Sequence, residues 1–124
     1  MFDAGALVAL DRNDPTMWRV VKAAAIRGTT VFAPSTVVAQ VWRGLARQAR
    51  LATALQGIEV SPFDPMAKAA GELCGTSRTS DVIDASVALT ALSKRAKQIY
   101  TSDVGDINHL LDTLQVKDVL VVHC

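Results

Sequence analysis

The chain is poor in cysteine, in aromatic residues and in net charge, and each shortage closes off a class of function. Its two cysteines, Cys74 and Cys124, match neither the paired spacing of a thiolate metal site nor a disulfide framework. Cys74 falls within an apolar helical face and reads as core. Its two histidines, His109 and His123, stand alone and read as structural rather than as ligands. Two Trp, one Tyr and three Phe, mostly in apolar contexts, leave little surface on which bases could stack. A net charge of +1 gives no bulk attraction to nucleic acid, so any such binding must come from a local patch. No apolar run is long enough to span a membrane. The start carries an acid at Asp3 and lacks the basic segment of a signal peptide, which predicts a cytoplasmic protein. Neither a Gly-x-x-x-x-Gly-Lys loop nor a Gly-x-Gly-x-x-Gly fingerprint is present, which argues against nucleotide-driven and dinucleotide chemistry.

What is present is a strongly alternating chain. Its 124 residues, half of them apolar, suffice for one domain (1–124) with a single core. Met1 and Phe2 read as the end of an oddly short first strand, since a buried parallel strand usually begins earlier. Ala4 to Leu10 follows as a helix. Asp14-Pro15 is an N-cap with proline at the first helical position, opening a helix that Gly28 stops. Thr30 to Ala33 reads as a strand ended by Pro34. Ser35 then caps a helix with Val37, Val38, Val41, Trp42 and Leu45 on its apolar side. Trp42 serves there either as packing or as an interface anchor. Arg43, Arg47 and Arg50 recur at helical spacing on another side, as a solvated face or as a stripe contacting phosphates. Ala49 to Leu55 is a helix, and Ile58 to Val60 a strand. Asp64-Pro65 repeats the cap-plus-proline start before a helix at Met66 to Cys74. Val82 to Lys94 is a helix with Val82, Ile83, Val87, Ala88 and Leu92 on one face. Gln98 to Thr101, Ile107 to Leu114 and Val119 to Val122 complete a strand, a helix and a last strand. Helices between all strands predict an α/β fold with a mostly parallel sheet covered on both faces.

The stretch from Ser80 to Asp106 carries four of the 12 acids as two Asp-x-x-Asp pairs, Asp81 with Asp84 and Asp103 with Asp106. Taken singly, each pair reads as helix capping, because acids satisfy orphan amides at a helix start and suit its dipole. Asp3, also at a strand end, changes the balance. If the strands ending at Phe2 and Tyr100 are neighbours, Asp3, Asp103 and the Asp81 helix converge on the sheet edge where open α/β sheets bind ligands. Carboxylates so grouped repel, and some must take up protons unless a divalent cation joins them. Mg²⁺ or Mn²⁺ suits oxygen ligands, makes a held water more nucleophilic and offsets phosphate charge, so the pattern points to phosphodiester hydrolysis. A phospho-acceptor receiver domain has similar length and alternation. It would need an acid after the third strand, where Ser61-Pro62 stands instead.

FDAGALVAL, PSTVVAQVWRG, SDVIDASVALTA and YTSDVGDINHL together resemble, in order and spacing, the PIN-domain ribonucleases, and among them the VapC toxins of toxin–antitoxin pairs. The resemblance spans nearly the whole chain. It implies a three-layer α/β/α sandwich around a mostly parallel sheet of four to five strands, Mg²⁺-dependent cleavage of RNA, a homodimer and a cognate antitoxin. It assigns Asp3, Asp84 and Asp103 as catalytic metal ligands, with Asp106 as a frequent further acid; Asp81 is a further acid at the metal by its own position, one turn before Asp84. The second acid of the family, usually Glu, is here Gln40, which offers a carbonyl oxygen but no charge. If the arginine row contacts phosphates and is not simply a solvated face, Arg43 and Arg47 are the residues that do so. A catalytically weakened binding module of the same fold is the alternative that Gln40 raises.

Overall fold

A computed structural model describes residues 1–124. The helices are α1 (Ala4–Asp11), α2 (Pro15–Arg27), α3 (Ser35–Val41), α4 (Ala49–Gln56), α5 (Ala67–Ser77), α6 (Val82–Ser93) and α7 (Val104–Thr113). The strands are β1 (Val31–Pro34), β2 (Ile58–Ser61), β3 (Gln98–Thr101) and β4 (Leu120–His123). Local chemistry sets several boundaries as the sequence implies. The Asp14 carboxylate accepts the Met17 amide at 2.8 Å, and Gly28, at φ +66°, ends α2 in the left-handed conformation that favours glycine.

All strand pairing is parallel, and it falls into two two-stranded sheets. β1 pairs with β2 in the register Val31↔Ile58 to Pro34↔Ser61, and β3 with β4 in the register Gln98↔Leu120 to Thr101↔His123. Residues 1–3 lie between the two pairs. Phe2 forms an isolated parallel bridge with Tyr100 and donates its N–H to the Phe32 carbonyl at 2.8 Å. Asp3 donates to the Tyr100 carbonyl at 3.1 Å, and Tyr100 to the Met1 carbonyl at 3.0 Å. The structure shows these two short pairs with a single bridging residue between them, not a continuous central sheet of four to five strands. Three residues supply too few amides to extend a ladder.

The core is one cluster that includes Phe2, Leu7, Leu10, Val87, Ile99 and Ile107. Phe2 packs its ring edge-to-face on Tyr100, with centroids 5.5 Å apart. His109, on α7, donates from Nε2 to the Ser77 carbonyl at 2.8 Å, a structural role that ties α7 to the end of α5.

Five local expectations need correction. Ser35 does not cap α3. Pro34 holds that position as the last residue of β1, and the Ser35 hydroxyl instead accepts the Phe63 amide at 3.1 Å. α3 stops at Val41, leaving Trp42 and Leu45 outside it and exposed: Trp42 is already extended, at φ -70° and ψ 133°, and Gly44 beyond it turns left-handed at φ +69°. The buried Gln48 side chain fastens that turn by accepting the Arg43 amide at 2.7 Å and donating to the Val41 carbonyl at 3.0 Å. Arg43, Arg47 and Arg50 therefore sit on a loop, a 3-10 turn (Ala46–Gln48) and α4, not on one helical row. α6 buries small residues, Ala85, Ser86, Val87, Ala88, Thr90 and Ala91, and exposes Val82 and Leu92. Asp64-Pro65 opens a 3-10 turn (Asp64–Met66) with no side-chain cap.

Candidate functional site

Asp3 follows the bridging Phe2 directly and precedes α1, so its carboxylate emerges where the two strand pairs meet. It is only 3% exposed. Its Oδ2 accepts the hydroxyl of Thr101, the last residue of β3. The same hydroxyl oxygen accepts the Asp103 amide at 2.9 Å. One threonine thus ties the carboxylate at the end of residues 1–3 to the backbone at the start of α7. Asp103 occupies the N-cap position of α7, yet its carboxylate makes no capping bond. Across the cavity, Asp81 caps α6 by accepting the Ile83 and Asp84 amides at 2.9 and 3.0 Å, which holds Asp84 in the first turn.

These elements enclose a cavity of about 720 Å³ at the carboxyl ends of the strands. Asp3, Asp14, Asp81, Asp84 and Asp103 line it, with Gln40 and a single basic residue, Arg12. The site residues read from the sequence therefore divide. Asp3, Asp81, Asp84, Asp103 and Gln40 come together, whereas Asp106, in the first turn of α7, lies outside the wall and acts on Asp84 through its charge. Arg43 and Arg47 do not reach the cavity. Arg43 folds its Nη1 back onto the Ala39 and Trp42 carbonyls at 3.3 and 2.8 Å, closing the end of α3. A second cavity, of about 580 Å³, opens at the amino ends of β1 and β3. Five basic residues and no acid line it, but Lys94 and Lys97 are already paired there with Glu59 and Asp118.

Two residues that sequence reasoning passed over shape the acidic cavity. A Cβ on Gly5 would stand 2.8 Å from the Ser102 amide nitrogen, so only glycine lets α1 approach the β3–α7 turn this closely. Glycine in the first turn of a helix whose propensity it lowers was the available signal. Thr101 was visible only as a strand residue, because its second partner is 98 positions away.

The electrostatics follow from the crowding. Burial pushes the Asp84 carboxyl up to about 7, and the charges of Asp81, Asp3, Asp103 and Asp106 push the same way. Burial also raises Asp3, opposed mainly by the Thr101 hydroxyl. The molecule has two side-chain ion pairs, Lys94–Glu59 and Lys97–Asp118, and neither touches the cavity. Burial and the nearby Asp3 and Asp14 charges drive the Cys124 thiol, also on the wall, up to about 11.

The donors on the wall are carboxylate and amide oxygens together with a protonated thiol, a set that suits a hard divalent cation rather than a soft one. As they stand, no three His, Cys, Asp or Glu side chains are arranged to hold a metal ion. The carboxylates share a cavity without forming a closed ligand shell. No helix is long and apolar enough to cross a membrane. Comparison of the chain with models of protein families, with curated proteins and with solved structures gives no match.

Proposed function

We propose that this protein is a metal-dependent endoribonuclease of the PIN-domain, VapC-toxin type, and that it hydrolyses RNA phosphodiesters. The observation that carries this reading is the meeting of aspartates from three distant segments in one cavity, with no ion pair among them and with Asp84 raised to about 7. Such a site is short of positive charge in the way a divalent-cation site is. Asp3, Asp84 and Asp103 would hold Mg²⁺, or Mn²⁺ in its place, with Asp106 and Asp81 supporting from further out and Gln40 offering its carbonyl oxygen. When bound, the cation lowers the pKa of a water and offsets phosphate charge. The chain's own part is orientation. Thr101 fixes Asp3 relative to the start of α7, and the Asp81 cap fixes Asp84 on α6.

The same reading takes the two strand pairs and residues 1–3 as one parallel sheet inside an α/β/α sandwich. It includes a homodimer and a cognate antitoxin that blocks the cavity. The exposed Trp42, beside an exposed Leu45, supplies apolar surface of the kind such contacts use. The deciding experiment compares RNA cleavage by the parent chain and by Asp84→Asn in Mg²⁺ or Mn²⁺. Cleavage by the parent alone is expected, and equal activity in both proteins would overturn the assignment.

Gln40 on the cavity wall favours one second reading, a catalytically weakened module that keeps the fold and the partner surface. Calorimetric titration of the parent and of Gln40→Glu with Mg²⁺ separates the two. A module of that kind gains both metal affinity and cleavage from the glutamate, whereas a working nuclease already shows both without it.

A further inference from the structure

We propose that Arg12 is the residue that receives a backbone phosphate of the RNA strand at the acidic cavity, an inference that rests on the nuclease reading above. A cavity walled by five aspartates repels a polyanion, and a metal ion alone leaves the rest of the strand unattracted. Arg12 is the one basic side chain on that wall. It is exposed, just past the end of α1. Its guanidinium takes part in no ion pair and no hydrogen bond within the chain; only its backbone N–H is used, donating to the Val8 carbonyl at 3.0 Å. The adjacent Asp11 is not on the wall and forms no ion pair with Arg12, and the nearest acid on the wall, Asp14, is committed to capping α2 through Met17. Arg43 provides the contrast, because its guanidinium is spent on two backbone carbonyls away from the cavity. A planar donor with all its N–H groups free, at the rim of an anionic site, matches the geometry by which arginine grips phosphate.

A basic residue just past a helix C-terminus can also serve the helix dipole alone, and the test must separate the two roles. Binding of a single-stranded RNA with a cleavage-resistant 2′-O-methyl backbone is measured in Mg²⁺ over a salt series, for the parent, Arg12→Ala and Arg12→Lys. Loss of the arginine should weaken binding about tenfold. It should lower the slope of log affinity against log salt by about 0.7, the share of one phosphate on a single strand. On cleavable RNA, KM should rise with kcat nearly unchanged, and Arg12→Lys, which keeps the charge without the planar fork, should keep the parent's salt slope while recovering only part of the affinity. Mg²⁺ affinity without RNA should not fall. If the parent binds and cleaves RNA while Arg12→Ala shows the same affinity and salt slope, the role of Arg12 is overturned and the nuclease reading survives. Weaker binding of Arg12→Ala with an unchanged salt slope marks a structural role and overturns it equally. A parent chain that neither binds nor cleaves RNA in Mg²⁺ or Mn²⁺ takes down both.

Discussion

At the scale of single residues, Asp84 concentrates the tension of the site. Its carboxyl titrates near 7 in the folded chain against an ordinary 3.8, so between those values the folded state holds a proton that the unfolded state has released. The contribution of Asp84 to stability is therefore greatest below about pH 4, declines as pH rises toward 7, and stays at its lower level above that. Asp84→Asn should remove this decline and stabilise the metal-free protein by about 2 kcal/mol at about pH 8, after allowance for solvent screening. Thermal melts of both proteins across pH check it; parallel curves would show that Asp84 carries no such strain. If a divalent cation is the missing charge, millimolar Mg²⁺ should raise the parent's melting temperature most at alkaline pH and leave Asp84→Asn nearly unmoved. The acids themselves were legible in the sequence, because each sits where a strand or a helix begins or ends. Their protonation was not, because it depends on distances that no local pattern encodes. The arginines misled for a related reason. Helical spacing put Arg43 and Arg47 in one row, but spacing means something only while the helix continues, and α3 ends at Val41, before either arginine.

At the scale of elements, the acidic cavity depends on how closely α1 can approach the turn between β3 and α7. Gly5→Ala places a methyl carbon against the Ser102 backbone, which cannot swing aside as a side chain could. The expected cost is about 1–3 kcal/mol of stability. Metal-dependent cleavage should fall further than stability does, because Asp3 moves with α1. Denaturant unfolding and an RNA assay on the same sample test this, and an alanine variant with parent-like values in both would show that the approach is not needed. The turn after α3 rests likewise on Gln48, whose buried amide makes two backbone hydrogen bonds. Gln48→Ala leaves the Arg43 amide and the Val41 carbonyl without that partner and should cost about 1–3 kcal/mol. It should also speed hydrogen exchange at Arg43, a change that solvent-exposed Gln56 replaced by alanine would not produce. α2 could be read almost residue by residue from Asp14, Pro15 and Gly28, since its signals are local and agree. α3 could not, because its end is an extended Trp42 held in place by a glutamine further along the chain, through the Val41 carbonyl and the Arg43 amide, and the apolar residues beyond it imitate a continuing face.

At the scale of the whole molecule, the alternation of helix and strand was enough to give the α/β class, but not the width of the sheet. Periodicity tells which segments are strands and says little about how many amides each can pair. Residues 1–3 are where the difference falls, for Phe2 alone bridges to β3 and bonds to β1. Phe2→Ala removes a fully buried ring and its edge contact with Tyr100, at an expected cost of about 3–5 kcal/mol. Exchange of the Tyr100 and Asp3 amides should accelerate well before that of α2. Uniform acceleration across the chain would mean that the two strand pairs do not depend on this bridge. The Thr101 hydroxyl has a wider consequence. Because one oxygen serves both the Asp3 carboxylate and the Asp103 amide, neither the Asp3 anion nor the Asp103 backbone can drift without pulling on the other. A chain wired in this manner has little room to fail by degrees: replacing the threonine would slacken two walls of the cavity in one stroke, while the aspartates themselves remained in place in the sequence.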